Sequence, residues 1–130
     1  NSFPKIGGAI IWDKQTVSDR FSEADIASCS LHKKIVVFRH RWSGFLQERM
    51  DNKEERIHSC QKPIRLYKWL LTKYAKQGDK ILDTHGGSMS LAIACYDLGY
   101  DLDCYEIDVD YFNAAVKRFE KHKQQLTLTL

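Results

Sequence analysis

The stretch from Gly78 to Glu106 restricts the fold of this chain more than any other part of it. Lys80-Ile81-Leu82-Asp83 is a short β-prone run, His85-Gly86-Gly87-Ser88 a tight turn, Met89 to Leu98 an apolar helical run closed by Gly99, and Leu102-Asp103-Cys104-Tyr105-Glu106 a second short strand. Strand, helix and strand in so short a span form a βαβ unit, with the two strands parallel. Glycines let the backbone turn sharply and approach a ligand closely, and the helix start that follows offers free N–H donors. Ligands of open α/β sheets bind at the carboxyl ends of the strands. Glu106 closes the second strand, where an acid can accept hydrogen bonds from both hydroxyls of a ribose. The segment therefore points to a nucleoside-containing cofactor.

Two cofactor classes share that geometry. A dinucleotide needs a pyrophosphate cradle, usually G-x-G-x-x-G, but here the run is H-G-G-S-M-S and no third glycine follows on the helix. S-adenosylmethionine carries no phosphate. It needs only a turn, an acid for the ribose and a carboxylate to balance its ammonium or sulfonium, a role for which Asp83 is placed. The missing glycine favours the methyl donor over NAD.

The rest of the chain is less regular. Gly7-Gly8 announces a buried strand at Ala9-Ile10-Ile11-Trp12. The run from Phe21 to Ser30, with Ser22 as cap and Glu23 and Asp25 in the first turn, predicts a helix. Ile35-Val36-Val37-Phe38 is a second strand. From Arg39 to Ile57 the text is basic and aromatic, expected as loop with one turn of helix. Pro63 suits a first helical turn, and Ile64, Tyr67, Leu70, Leu71 and Tyr74 recur at helical spacing to near Gly78. Val109 to Lys121 predicts an amphipathic helix with Tyr111, Phe112, Ala115, Val116 and Phe119 inward. The alternating tail Leu126-Thr127-Leu128-Thr129-Leu130 is either an edge strand or frayed. Two domains are expected: residues 1–57, a strand with a short basic recognition segment, and residues 58–130, a cofactor-binding βαβα part.

A net charge of +3 and a pI near 8.7 permit a polyanionic partner without demanding one. Cys29, Cys60, Cys95 and Cys104 form no C-x-x-C pair, so zinc is not expected. Cys95 and Cys104 sit in apolar runs as buried thiols, and the pattern suits a reducing, cytoplasmic setting. No signal peptide or long apolar span is visible, so no membrane role is expected. The chain opens on Asn1, and a preceding segment is expected in the full-length protein.

With these residues in view, the chain resembles the amino-group DNA methyltransferases of permuted motif order, the β class. That family carries H-P-x-x-K-P, a helix, D-P-F-x-G-S-G, and a strand ending in Glu. The matching runs are Ile57-His58-Ser59-Cys60-Gln61-Lys62-Pro63, then Asp83-Thr84-His85-Gly86-Gly87-Ser88, then Glu106-Ile107-Asp108. Ile10-Ile11-Trp12-Asp13-Lys14 and Trp42-Ser43-Gly44-Phe45 are similar to stretches of phage and prophage members. The resemblance implies an α/β, Rossmann-like, S-adenosylmethionine-dependent methyltransferase fold, present in part. It implies that Asp83, Thr84, His85, Gly86, Gly87 and Ser88 line the cofactor pocket, Glu106 holds the ribose, and Gln61, Lys62 and Pro63 close over the methionine end. Ser59, His85 and Met89 depart from the family's Pro, Phe and last Gly.

The family's catalytic motif, an Asp, Asn or Ser before Pro-Pro and an aromatic, is absent, since the only prolines are Pro4 and Pro63. No catalytic residue is therefore assigned, and these residues alone are expected to be inactive. The motif accepts hydrogens from an exocyclic amine and orients its lone pair, on a base taken out of the duplex. The resemblance places target recognition between Arg39 and Arg56, where Arg39, Arg41, Arg49 and Lys53 neutralise phosphates and Trp42 or Phe45 stacks. Double-stranded DNA is the expected partner and adenine the expected base. Cytosine at its amine is the closest alternative, followed by RNA or small-molecule methylation. A non-catalytic cofactor- or DNA-binding module is a reading of another class. An uncovered apolar face favours a homodimer.

Overall fold

The computed structural model describes residues 7–43 and 46–129. The chain forms two compact units, Asn1–Lys53 and Glu54–Leu130.

The first unit is built on a three-stranded sheet of order β2-β1-β3, with β1 at Gly8–Asp13, β2 at Ala24–Cys29 and β3 at Ile35–Arg39. β2 runs antiparallel to β1, from Gly8↔Cys29 to Asp13↔Ala24. β3 runs parallel to β1 on its other side. The short link between β2 and β3 must therefore cross the start of β1. Gly7 and Gly8 lie at that crossing: a Cβ on Gly8 would stand 2.5 Å from the carbonyl oxygen of His32 and 2.6 Å from that of Lys34.

The helix expected over Phe21–Ser30 is instead β2. Six residues pair with β1, and the Ser22 hydroxyl donates to the Ala24 carbonyl at 2.7 Å rather than capping a helix. The acid expected in a first helical turn, Asp25, pairs with Lys14 across the strands at 3.0 Å. Long-range pairing outweighs the local signals. Beyond β3, β4 (Trp42–Ser43) and β5 (Leu46–Gln47) form a small hairpin, and no helical turn occurs among the described residues from 39 to 57. Trp42 is 6% exposed and sets its ring against that of Trp12, with centroids 6.4 Å apart. The Trp12 indole donates to the His40 carbonyl at 3.0 Å. Phe45 lies outside the described residues.

The second unit runs α1 (Ile64–Tyr74), β6 (Lys80–Asp83), α2 (Ser90–Leu98), β7 (Asp101–Cys104) and α3 (Val109–Thr129). β6 and β7 are parallel, in register from Lys80↔Asp101 to Asp83↔Cys104. The predicted βαβ unit is present, although β7 stops two residues short of Glu106. Leu71, Ala94 and Cys95 form the core, with Ile64, Tyr67, Ile81, Leu91 and Leu102 packed around them. Each fully buried leucine here is worth about 2 kcal/mol. Strand alternation puts Ile81, Asp83, Leu102 and Cys104 half-buried, and leaves Lys80, Leu82, Asp101 and Asp103 exposed.

Pro63 stands one position before α1, in extended conformation, where its missing N–H costs nothing. α1 ends at Tyr74, and Gly78, at φ +91°, turns the chain into β6. α2 starts one residue late because Met89 is left-handed at φ 58°. Gly99, at φ +79°, closes it. Asp108 caps α3, accepting the Tyr111 N–H at 2.9 Å.

α3 differs from expectation in two ways. Its backbone stays helical to Thr129, so residues 126–129 are not an edge strand, while Leu130 lies outside the described residues. Of the residues expected inward, Tyr111, Ala115 and Phe119 are buried or half-buried, and Phe112 and Val116 are not. Ala115 is fully buried, but Phe112 and Val116 are 41% and 36% exposed. Tyr111, Ala115, Arg118 and His122 share the inner face at helical spacing. Among the described residues no helix is long and apolar enough to cross a membrane.

Candidate functional site

Strand pairing continues past the ends of β6 and β7. The Tyr105 N–H donates to the Asp83 carbonyl at 2.9 Å, and the Gly86 N–H to the Tyr105 carbonyl at 2.7 Å. These two bonds fold the 84–88 turn over the carboxyl end of the strand pair. Gly86 allows it: a Cβ there would stand 2.6 Å from Cys104 Sγ and 3.3 Å from the Tyr105 carbonyl oxygen. Gly87 adopts φ +54°, a conformation that favours glycine.

Glu106 is the pivot of this end. Its Oε2 accepts the Gly87 N–H at 2.7 Å and its Oε1 the Asp108 N–H at 2.9 Å. The Asp108 bond, then the Gly87 bond, hold the carboxyl below the usual carboxylate range. It is thus ionised at neutral pH, and each oxygen keeps a further lone pair for an incoming hydroxyl. Asp83 accepts the His85 N–H at 3.0 Å. Its charge also reaches inward. Burial first, and Asp83 second, push Tyr67 up to about 12 and both Cys95 and Cys104 up to about 11. Those thiols are therefore un-ionised and inert as nucleophiles.

The loop before α1 meets the same turn. The His58 ring lies 4.0 Å from that of Tyr111, and its Cδ2 and Nε2 approach to 3.9 Å from where a Gly87 Cβ would stand. His58 Nδ1 accepts the Cys60 N–H at 3.0 Å, which leaves the neutral ring's proton on Nε2. Residues far apart in sequence are thus brought together: His58, Asp83, Gly86, Gly87, Glu106 and Tyr111.

The other expected cofactor residues divide between surface and interior. Thr84 and His85 are exposed and bonded to each other, Oγ1 to Nδ1 at 2.8 Å. Lys62 is half-buried and Pro63 fully buried at the head of α1. Gln61, 3% exposed, braces its own loop: Oε1 accepts the Ile57 N–H and Nε2 donates to the Glu55 carbonyl, both at 2.9 Å. Ser88 is buried, with its hydroxyl 3.1 Å from that of Ser90.

Sequence reasoning missed Glu54 and Arg118. Arg118 donates through Nη1 to the Ser88 carbonyl at 2.9 Å and to Ser90 Oγ at 3.0 Å, and through Nη2 to Glu54 Oε2 at 3.2 Å. Glu54 Oε1 in turn accepts the Ile64 N–H at 2.8 Å, at the start of α1. The signal was available. Counting from Tyr111 and Ala115 at helical spacing puts Arg118 on the inner face, where a charge requires a partner.

In the first unit, Arg39 pairs with Asp13 at 3.6 Å and Arg49 with Asp51 at 2.7 Å, all four side chains well exposed. Such pairs are weak and break readily for a stronger anion. Arg41 is exposed, and its backbone N–H donates to the Glu48 carboxylate at 2.8 Å. Lys53 is exposed. Trp42 belongs to the core with Trp12, so stacking on a base would require it to leave that packing. Among the described residues, no three His, Cys, Asp or Glu side chains gather as a metal ion would need.

Parallel strands joined through a helix, a glycine turn folded over their carboxyl ends, and an ionised acid bonded to that turn define an α/β unit. Residues 6–117 match the family model N6_N4_Mtase, described as DNA methylase. The chain belongs to this amino-group DNA methyltransferase family, whose members normally use S-adenosylmethionine. No curated protein sequence matches the chain closely enough to count as a relative.

Proposed function

We propose that the second unit is the Rossmann-like cofactor half of an adenine-N6 DNA methyltransferase, binding S-adenosylmethionine at the carboxyl ends of β6 and β7. The observation that carries this reading is the Glu106 carboxylate, ionised and joined to the Gly87 and Asp108 N–H groups. Glu106 accepts from the ribose hydroxyls, Asp83 supplies negative charge beside the turn, and Lys62 and Pro63 border the methionine end. His58 and Tyr111 wall the pocket across from Gly87. The residues fit a phosphate-free ligand, since Gly86 and Gly87 make the turn and the G-x-G-x-x-G run of a pyrophosphate cradle is not present. S-adenosylmethionine supplies an electrophilic methyl group on a sulfonium. No residue of this chain is proposed to orient the acceptor amine.

Calorimetric titration of the chain with S-adenosylmethionine, with NADH as control, tests this reading. Binding of the methyl donor alone is expected. Glu106→Ala is expected to weaken it on the order of tenfold to a hundredfold, as loss of a charge-assisted hydrogen bond implies. Unchanged affinity in that variant removes Glu106 from the site.

The first unit is proposed as the DNA-contacting part, through Arg39, Arg41, Arg49 and Lys53. Arg41→Ala is expected to weaken duplex binding and lower the slope of log affinity against log salt by about one. Equal slopes for variant and parent would exclude Arg41 from the interface. Cytosine-N4 transfer differs only in the base that enters, and nucleoside analysis of methylated DNA separates the two. The likeness of the Trp12 and Trp42 stretches to phage and prophage members supports a DNA-modification role in that setting.

A further inference from the structure

We propose that Arg118 is a positioning residue for the cofactor turn, fixing the path of residues 86–90 relative to the loop that carries Lys62 and Pro63. Its bearing on cofactor affinity rests on the reading above. The Arg118 side chain is 8% exposed and its donors are split between two elements. One arm holds the Ser88 carbonyl and Ser90 Oγ, and the other holds Glu54, which grips the first N–H of α1. Ser88 lies between two left-handed residues, Gly87 at φ 54° and Met89 at φ 58°. A non-glycine residue keeps such a conformation only where its surroundings enforce it. The direction of the Ser88 carbonyl sets the path of both neighbours, and Arg118 sets that direction. A planar, five-donor fork suits the task, because it bonds to both elements without rotating. The consequence reaches the site directly, since the Gly87 N–H, one residue before Ser88, is the group that Glu106 accepts.

The test follows amide hydrogen exchange in the ligand-free full chain, together with S-adenosylmethionine affinity. In Arg118→Met, exchange at Gly87 is expected to quicken about tenfold more than at Tyr105, and affinity to fall by a similar factor. Leu71→Val, a core change away from the turn, serves as the control: Gly87 and Tyr105 should quicken together, with affinity kept. Glu54→Gln/Arg118→Met removes the charge pair yet keeps an acceptor for Ile64, so it should regain thermal stability while Gly87 stays unprotected. If Arg118→Met does not fold, Arg118→Lys keeps the charge but cannot span both elements, and the same selective loss at Gly87 is expected. Equal protection of Gly87 and Tyr105 in the Arg118 variants overturns the proposal, as does full recovery of Gly87 in the double variant. Selective loss at Gly87 in a chain that binds no S-adenosylmethionine upholds the positioning role and overturns the cofactor reading.

Discussion

Gly8→Ala is expected to destabilise the first unit by on the order of 3 kcal/mol, enough to unfold it at ordinary temperatures. The cause is topological. β3 joins β1 on the side opposite β2, so the link between β2 and β3 passes over the start of β1. An alanine Cβ would stand 2.5 Å from the His32 carbonyl oxygen and 2.6 Å from that of Lys34. Both obstacles are backbone, and the Lys34 carbonyl cannot swing aside without giving up the Ala9 N–H that it accepts at 3.1 Å. Gly78→Ala makes the instructive contrast. Nothing lies within 4 Å of the added carbon, and only the φ of +91° opposes it, so a loss of about 1 kcal/mol is expected. Thermal unfolding followed by tryptophan fluorescence in a Trp69→Phe background checks the first unit, since Trp12 and Trp42 then report on it alone, and circular dichroism follows Gly78→Ala. A Gly8→Ala midpoint equal to that of the parent would mean that the link does not cross at Gly8.

Glu54→Ala is expected to cost the second unit roughly 3 kcal/mol, combining a lost helix-end acceptor with an Arg118 left buried and unpaired. The figure sits at the low end for buried pairs because the Glu54 side chain keeps 18% of its surface. Glu54→Gln should cost nearly as much. Whichever way the amide is turned, its NH2 faces a donor, either the Ile64 N–H or the guanidinium. Burial raises the Glu54 carboxyl above the usual range, although the Ile64 N–H and Arg118 oppose it. The sign follows. With the folded pKa above the unfolded one, this group's contribution is fully present below the unfolded value and declines as pH rises through the folded value. Asp97 works in the opposite sense. Burial raises it, but the Lys68 and His122 hydrogen bonds, each 2.7 Å, outweigh burial and hold it low. Its contribution is lost as pH falls through its folded pKa. Urea titrations of parent and Glu54→Ala across the carboxylate range measure both the cost and its pH trend. A variant as stable as the parent would show that the pair contributes nothing net.

The second unit was largely legible in the sequence because its signals are local. Glycines mark the turns, apolar runs fall within single elements, and the acid sits at the end of a strand. Met89 shows the limit. As a non-glycine residue it gave no hint of a left-handed conformation. The first unit was less legible because its structure depends on pairing. Ser22, Glu23 and Asp25 spell a helix start, yet the open edge of β1 takes the segment as a strand. Trp42 reads equally as a stacking platform or as core, and only Trp12 decides for core. On α3, Phe112 and Val116 drew attention by their hydrophobicity, whereas the inward stripe is defined by Ala115 and carries Arg118. Gln61 was expected at the pocket from the resemblance, and nothing local reveals that its amide braces the loop.

The bond between Arg118 and Glu54 joins residues 64 positions apart. Closing so long a loop is entropically slow compared with forming the βαβ unit inside it. The pair is therefore expected to form after the folding barrier and to act on the rate at which the unit opens. In a chevron experiment, Glu54 variants should move the unfolding limb and leave the folding limb in place. That outcome would make the clasp a kinetic latch, lengthening the life of the assembled turn without hastening its assembly.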